Sequence, residues 1–76
     1  MPPETKSTEL KDLLTPKELD VTRLVAEGHS NASIAVELGC RPGTIATHMT
    51  KIFIRSGCRN RTQLAAKYLL ECGADV

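Results

Sequence analysis

Residues 30–62, SNASIAVELGCRPGTIATHMTKIFIRSGCRNRT, constrain the fold more than any other stretch of the chain. They read as two short helices joined by a tight turn. Apolar or small residues fall at Ile34, Ala35, Leu38, Cys40 and Ile45, with Gly39 among them. Each type has a reason to be where it is. A small residue at Ala35 lets two helices approach closely, and Leu38 and Ile45 fill the angle between them. Gly39 ends the first helix in a left-handed conformation that other residues adopt only at a cost. This is the pattern of a helix-turn-helix, whose second helix is free to lie in the major groove of duplex DNA.

The flanking sequence supplies two further helices. Thr15 followed by Pro16, with Glu18 three residues beyond the threonine, spells a capping box at a helix start. Leu19, Val21, Leu24 and Val25 form the apolar stripe of that first helix, which Gly28 ends. Ser30 caps the second helix, expected from Asn31 to Leu38. Pro42 opens the third, which runs to about Ser56 with Ile45, Met49, Ile52 and Phe53 inward, and Gly57 closes it. Asn60 caps a fourth helix from Arg61 to about Glu71, carrying Leu64, Ala65, Tyr68 and Leu69. The first dozen residues, rich in Pro, Ser, Thr and charge, read as a flexible lead-in. The expectation is therefore an all-α, four-helix domain over residues 13–73, with the helix-turn-helix at its centre.

With 76 residues there is room for one modest core. Phe53 and Tyr68 are its only aromatic side chains, so that core must be built of aliphatic residues. No apolar run approaches the ~18 residues of a membrane span, and the opening MPPETKSTELK has no apolar signal-peptide centre. A cytoplasmic location is the expectation. Cys40, Cys58 and Cys72 make an odd count without framework spacing and read as reduced thiols. Together with His48 they do not reproduce a paired zinc-ligand spacing, and His48 reads as a structural histidine. No phosphate-binding loop and no nucleophile with a nearby base is present, so neither an enzyme nor a cofactor or metal site is expected.

The net charge of +1 conceals an uneven distribution. Arg41, Lys51, Arg55, Arg59, Arg61 and Lys67 fall within residues 39–70, a stretch without a single carboxylate, whereas residues 1–38 are acidic in balance. A solvated helical surface normally mixes signs. Attraction to a polyanion is the simplest reason for the segregation.

The motifs LTPKE (Leu14–Glu18), GHSNASIA (Gly28–Ala35), TIATH (Thr44–His48) and SGCRNRT (Ser56–Thr62) resemble, in order, those of the LuxR/FixJ/NarL-type (GerE-like) helix-turn-helix DNA-binding domain. The resemblance covers residues 13–72. It implies that the third helix enters the major groove and that the fourth often pairs two domains on a two-fold site. Carried over by position, it places Ala46, Thr47 and Thr50 toward the bases, opposite Ile45, Met49 and Ile52. Ser30, Asn31, Arg41, Thr44, Lys51, Arg55, Arg59 and Arg61 are the phosphate-contacting candidates, and Ala66, Lys67 and Leu70 the candidates for a dimer contact. For Arg59 and Arg61, phosphate and an intradomain carboxylate stand as equal alternatives, and for Ser30 the capping role comes first.

Three positions depart from the family pattern. Ala46 stands where lysine is frequent, so the base-facing set lacks a bidentate partner and specificity per domain should be modest. Arg41 stands where a capping serine is usual; an arginine cannot cap and opposes the helix dipole, which makes sense if a phosphate sits there. Ser56 replaces a leucine and trims the core. The expected function is a sequence-specific, dimeric transcription regulator, or the output domain of a response regulator, with double-stranded DNA as partner. The alternative is a helix-turn-helix domain whose surface mainly binds a protein such as RNA polymerase or a regulatory partner. A sigma-factor-like promoter-reading domain is a third reading, which the Thr44–His48 and Arg59–Thr62 motifs disfavour.

Overall fold

A computed structural model describes residues 9–72, and the regular structure among them is all helical. The elements are α1 (Leu10–Leu13), α2 (Pro16–Ala26), α3 (Asn31–Leu38), α4 (Pro42–Ser56) and α5 (Arg61–Cys72). The expected third and fourth helices are thus α4 and α5. The expected end of the domain at residue 73, and the first eight residues of the lead-in, lie outside the described residues.

Local chemistry accounts for the boundaries. Thr15 Oγ1 accepts from the Glu18 N–H at 3.1 Å, and Glu18 Oε1 accepts from the Thr15 N–H at 3.0 Å, so the capping box of α2 is complete. Ser30 Oγ accepts from the Ser33 N–H at 3.1 Å and starts α3. Gly39 takes φ 70° and ψ 35°, in the left-handed region. There the Cys40 N–H reaches the Ala35 carbonyl at 2.9 Å and the Gly39 N–H the Val36 carbonyl at 3.3 Å. These two bonds satisfy carbonyls that a helix end would otherwise leave open, and they swing the chain from α3 into α4. Asn60 Oδ1 accepts from the Gln63 N–H at 2.8 Å and caps α5, while Gln63 Oε1 reaches back to the Arg59 N–H at 2.6 Å.

One core serves all five helices. Val21, Leu24 and Val25 of α2, Ile34 and Ala35 of α3, Ile45, Met49 and Ile52 of α4, and Leu64 of α5 are buried together with Leu10 and Leu14. Phe53, Tyr68 and Leu38 are half-buried against them. Each fully buried aliphatic side chain contributes about 1.5–3 kcal/mol of transfer free energy, before the cost of ordering the chain.

One expectation needs correction. The lead-in was expected to reach residue 12, but α1 begins at Leu10, whose side chain is wholly buried. The Leu10 N–H donates to Glu71 Oε1 at 2.6 Å, and Lys67 Nζ holds the other oxygen of that carboxylate at 2.8 Å. α5 thereby pins the start of the fold through a residue 61 positions distant, a contact that no local pattern announces. Leu69 is 52% exposed, because Leu64, Ala65 and Tyr68 already fill the inner side of α5.

Candidate nucleic-acid interface

α4 divides cleanly into two faces. Ile45, Met49 and Ile52 lie in the core. Opposite them, Gly43, Thr47, Thr50 and Ile54 follow one another at helical spacing and are all exposed, with Ala46 on one flank and Thr44 and Lys51 on the other, also exposed. Ala46, Thr47 and Thr50 are thus open to solvent, as expected of a base-facing set. Ile54, at 75% exposure, was missed by the sequence reading; its spacing of four from Thr50 was the signal.

The start of α4 is poorly capped. Arg41 occupies the cap position in extended backbone, and its side chain makes no capping bond. The Thr44 and Ile45 N–H groups both turn to the Arg41 carbonyl, at 3.0 and 3.2 Å. The Arg41 guanidinium is exposed and, like the side chains of Lys51 and Arg59, makes no ion pair with a carboxylate among the described residues.

Three of the basic candidates are engaged elsewhere. Arg55, expected on phosphate, places Nη1 2.8 Å from each oxygen of Glu18. The physical reason is that Glu18 is buried, at 3% exposure, and a buried carboxylate needs a cation to remain charged. Burial pushes the Glu18 carboxyl up. The Thr15 N–H and the hydrogen bond and charge of Arg55 outweigh it, so the group sits below its ordinary 4.5. Lys67, expected at a dimer contact, pairs instead with Glu71.

Arg61 bonds Asn31 Oδ1 at 2.7 Å and the His29 carbonyl at 2.6 Å, tying the start of α5 to the start of α3. The intradomain carboxylate expected as one alternative is not its partner, since both acceptors are neutral. Its geometry is used internally and its charge is not cancelled. Asn31, a candidate for phosphate, has its carbonyl oxygen turned to Arg61, and Ser30 is exposed beside it in the capping role. His29 Nδ1 lies 2.7 Å from Ser33 Oγ, which orders the same corner. Ser56 does more than trim the core: its Oγ accepts from the Cys58 N–H at 3.2 Å.

Among the described residues no group of His, Cys, Asp or Glu could hold a metal, and His48 is half-buried on the side of α4. Cys40 and Cys58 are free thiols, while the side chain of Cys72 lies outside the description. No described helix is long and apolar enough to cross a membrane.

A glycine-turned helix pair whose second helix is exposed and flanked by cations defines a helix-turn-helix domain. The pattern of the luxR family of bacterial regulatory proteins (GerE) matches residues 12–68, and the chain belongs to that family. Its relatives are named as transcription regulators rather than enzymes. The chain is 47% identical over 51 residues to the HTH-type transcriptional regulator AlkS of Ectopseudomonas oleovorans, covering 67% of this chain and 6% of that protein. It is 37% identical over 59 residues to the monoamine regulon transcriptional regulator of Klebsiella aerogenes, covering 78% and 26%. With the response regulator protein VraR of Staphylococcus aureus the figures are 34% over 58 residues, 76% and 28%. The chain thus spans well under half the length of these curated relatives. No solved structure matches it.

Proposed function

We propose that this domain binds double-stranded DNA as the reading head of a transcription regulator, with α4 in the major groove. The observation that carries the reading is the outer face of α4. It is exposed over its whole length, free of carboxylates, and flanked by Arg41 and Lys51, neither of which has an acidic partner among the described residues. Ala46, Thr47 and Thr50 face the bases. Arg41, Thr44, Lys51 and Arg59 contact phosphate, joined by Ser30 and by the uncancelled charge of Arg61 at the start of α3. Arg55 is left out of that set, since its guanidinium serves Glu18. Asn31 acts by positioning Arg61.

A second copy packs on the outer side of α5, where Ala66, Leu69 and Leu70 are exposed and Lys67 turns away to Glu71. Two domains related by a two-fold axis then read two half-sites. The same exposed leucines favour a second reading, in which this face takes a protein such as RNA polymerase or a regulatory partner. Sedimentation of the chain with and without a selected duplex separates the two. A one-to-one complex on a palindromic site, with no pairing, would remove the dimer.

The DNA reading is tested by titrating duplex fragments at several salt concentrations. With four cations left for phosphate, log affinity should fall against log salt with a slope of about −3 to −4 per domain. Affinity that is negligible at low salt, or indifferent to salt, would overturn it.

A further inference from the structure

The hydroxyl of Thr47 donates to the Gly43 carbonyl and that of Thr50 to the Ala46 carbonyl, each at 3.2 Å. A hydroxyl carries one hydrogen, and in both threonines it is committed to the preceding turn of α4. With Oγ1 turned along the helix, the γ-methyl group and the oxygen lone pairs are what these side chains offer outward. Ala46 offers a methyl group alone, and Ile54 continues the line as an exposed aliphatic side chain. The central line from Gly43 to Ile54 has no charged and no amide group.

This matters because the major-groove edge of guanine is two acceptors, read best by a fork of donors, and adenine is read best by an amide. Neither has a counterpart on this line. The one major-groove group that an apolar surface recognises is the C5 methyl of thymine.

Resting on the DNA reading above, we propose that α4 selects its site by packing the methyl groups of Ala46, Thr47 and Thr50 against thymine C5 methyls, with Ile54 extending the contact toward the end of the helix. Thr47 and Thr50 stand about 4.5 Å apart along the helix axis, from a rise of ~1.5 Å per residue. That is close to the ~3.4 Å step between stacked bases, so the two threonines meet neighbouring base pairs. The recognised element is a short run of thymines, on one strand or divided between the two. Its specificity resides in carbon rather than in hydrogen bonds.

The test begins from a site selected by the full chain out of random duplexes. That site is remade with uracil in place of thymine, one position at a time, and affinities are measured by fluorescence anisotropy at fixed salt. Uracil keeps every hydrogen-bonding group of thymine and loses only the methyl. At one or two positions it should weaken binding by roughly fourfold, the ratio that corresponds to about 0.8 kcal/mol for a buried carbon.

Paired variants identify the reading groups. Thr47→Ser with Thr50→Ser keeps both hydroxyls and removes both methyls, and should lose the preference for thymine over uracil at the positions these two residues face. Thr47→Val with Thr50→Val keeps methyls and removes hydroxyls, and should retain the preference for thymine. Both changes lie on an exposed face, and circular dichroism verifies the fold of each variant. Equal affinity for uracil and thymine duplexes at every position overturns the inference while leaving DNA binding intact. A serine pair that keeps the preference, with a valine pair that loses it, overturns it in favour of hydroxyl readout. If no duplex is bound with salt-sensitive affinity, the DNA reading fails and this inference falls with it.

Discussion

Arg55 and Arg41 lie near opposite ends of the same helix and have opposite employments. At the C-terminal end of α4, Arg55 is drawn inward by a buried carboxylate, and its charge disappears into the pair. At the N-terminal end, Arg41 sits on a helix start that it cannot cap, pointing into solvent with no acidic partner among the described residues. Arg61 stands between these cases, because its hydrogen bonds are used by the fold while its charge remains. The lesson is that a run of basic residues overstates the charge available to a polyanion. Of the six in residues 39–70, Arg55 and Lys67 are neutralised by Glu18 and Glu71, and four are left. The difference between the two ends can be broken or sharpened one residue at a time.

Arg55→Ala should have the largest effect, and it should be on stability. Removing one partner of a fully buried ion pair costs ~3–5 kcal/mol, and the half-exposed position of the Arg55 side chain reduces this to about 2 kcal/mol. Urea denaturation at neutral pH measures it. The pH dependence has a definite sign. The folded Glu18 carboxyl sits below its ordinary 4.5, so the stability it contributes is present above that value and is lost as pH falls through the folded value. Without Arg55 this acid-side loss should shrink and begin at a higher pH. A variant that unfolds at the parental urea concentration but binds DNA more weakly would return Arg55 to the phosphate set.

Arg61→Ala should cost about 1–2 kcal/mol, since two hydrogen bonds joining α5 to the start of α3 disappear. It should also weaken every duplex alike and lower the salt slope by about one. Arg61→Lys separates the two contributions. Lysine restores the charge without the planar fork, so stability should stay low while the salt slope returns. A lysine variant with parental stability would mean that the paired geometry at Asn31 and His29 is unimportant.

These two arginines also mark the limit of what the sequence discloses. The boundaries of α2, α3, α4 and α5 were legible because their causes are local: Thr15 with Glu18, Ser30, Gly39, Gly57 and Asn60 each act within a few residues. The outward placement of Ala46, Thr47 and Thr50 was legible too, from the spacing of the apolar residues opposite them. The inward turn of Arg55 was not. Glu18 was already accounted for as a cap, and nothing in its neighbourhood signals a second partner 37 residues away. The four-residue α1 is too short to show a period, and Leu10 is buried only because α5 comes to meet it through Glu71.

Lys51→Ala belongs to the open face and should behave in the reverse sense to Arg55→Ala. Its side chain has no acidic partner among the described residues, so stability should stay within about 0.5 kcal/mol of the parent. Affinity for all duplexes should fall about fivefold, by loss of one phosphate contact, with preference among sites unchanged. If Lys51→Ala altered the ranking of sites, the lysine would be reading a base edge, and the assignment of faces on α4 would have to be rotated.

The most discriminating effect is expected from Arg41→Ser. A serine at this position can accept from an N–H in the first turn of α4, and the arginine's unfavourable interaction with the helix dipole is removed. The domain should therefore become more stable, by about 0.5–1 kcal/mol, while losing affinity for DNA. A gain in stability with a loss in binding is what a residue held for its ligand produces. If Arg41 were simply a poor cap pointing into water, serine would still stabilise the fold, but affinity and salt slope would not move. Measuring both on one preparation distinguishes the two, because stability responds to the cap in either case and only the slope responds to the phosphate.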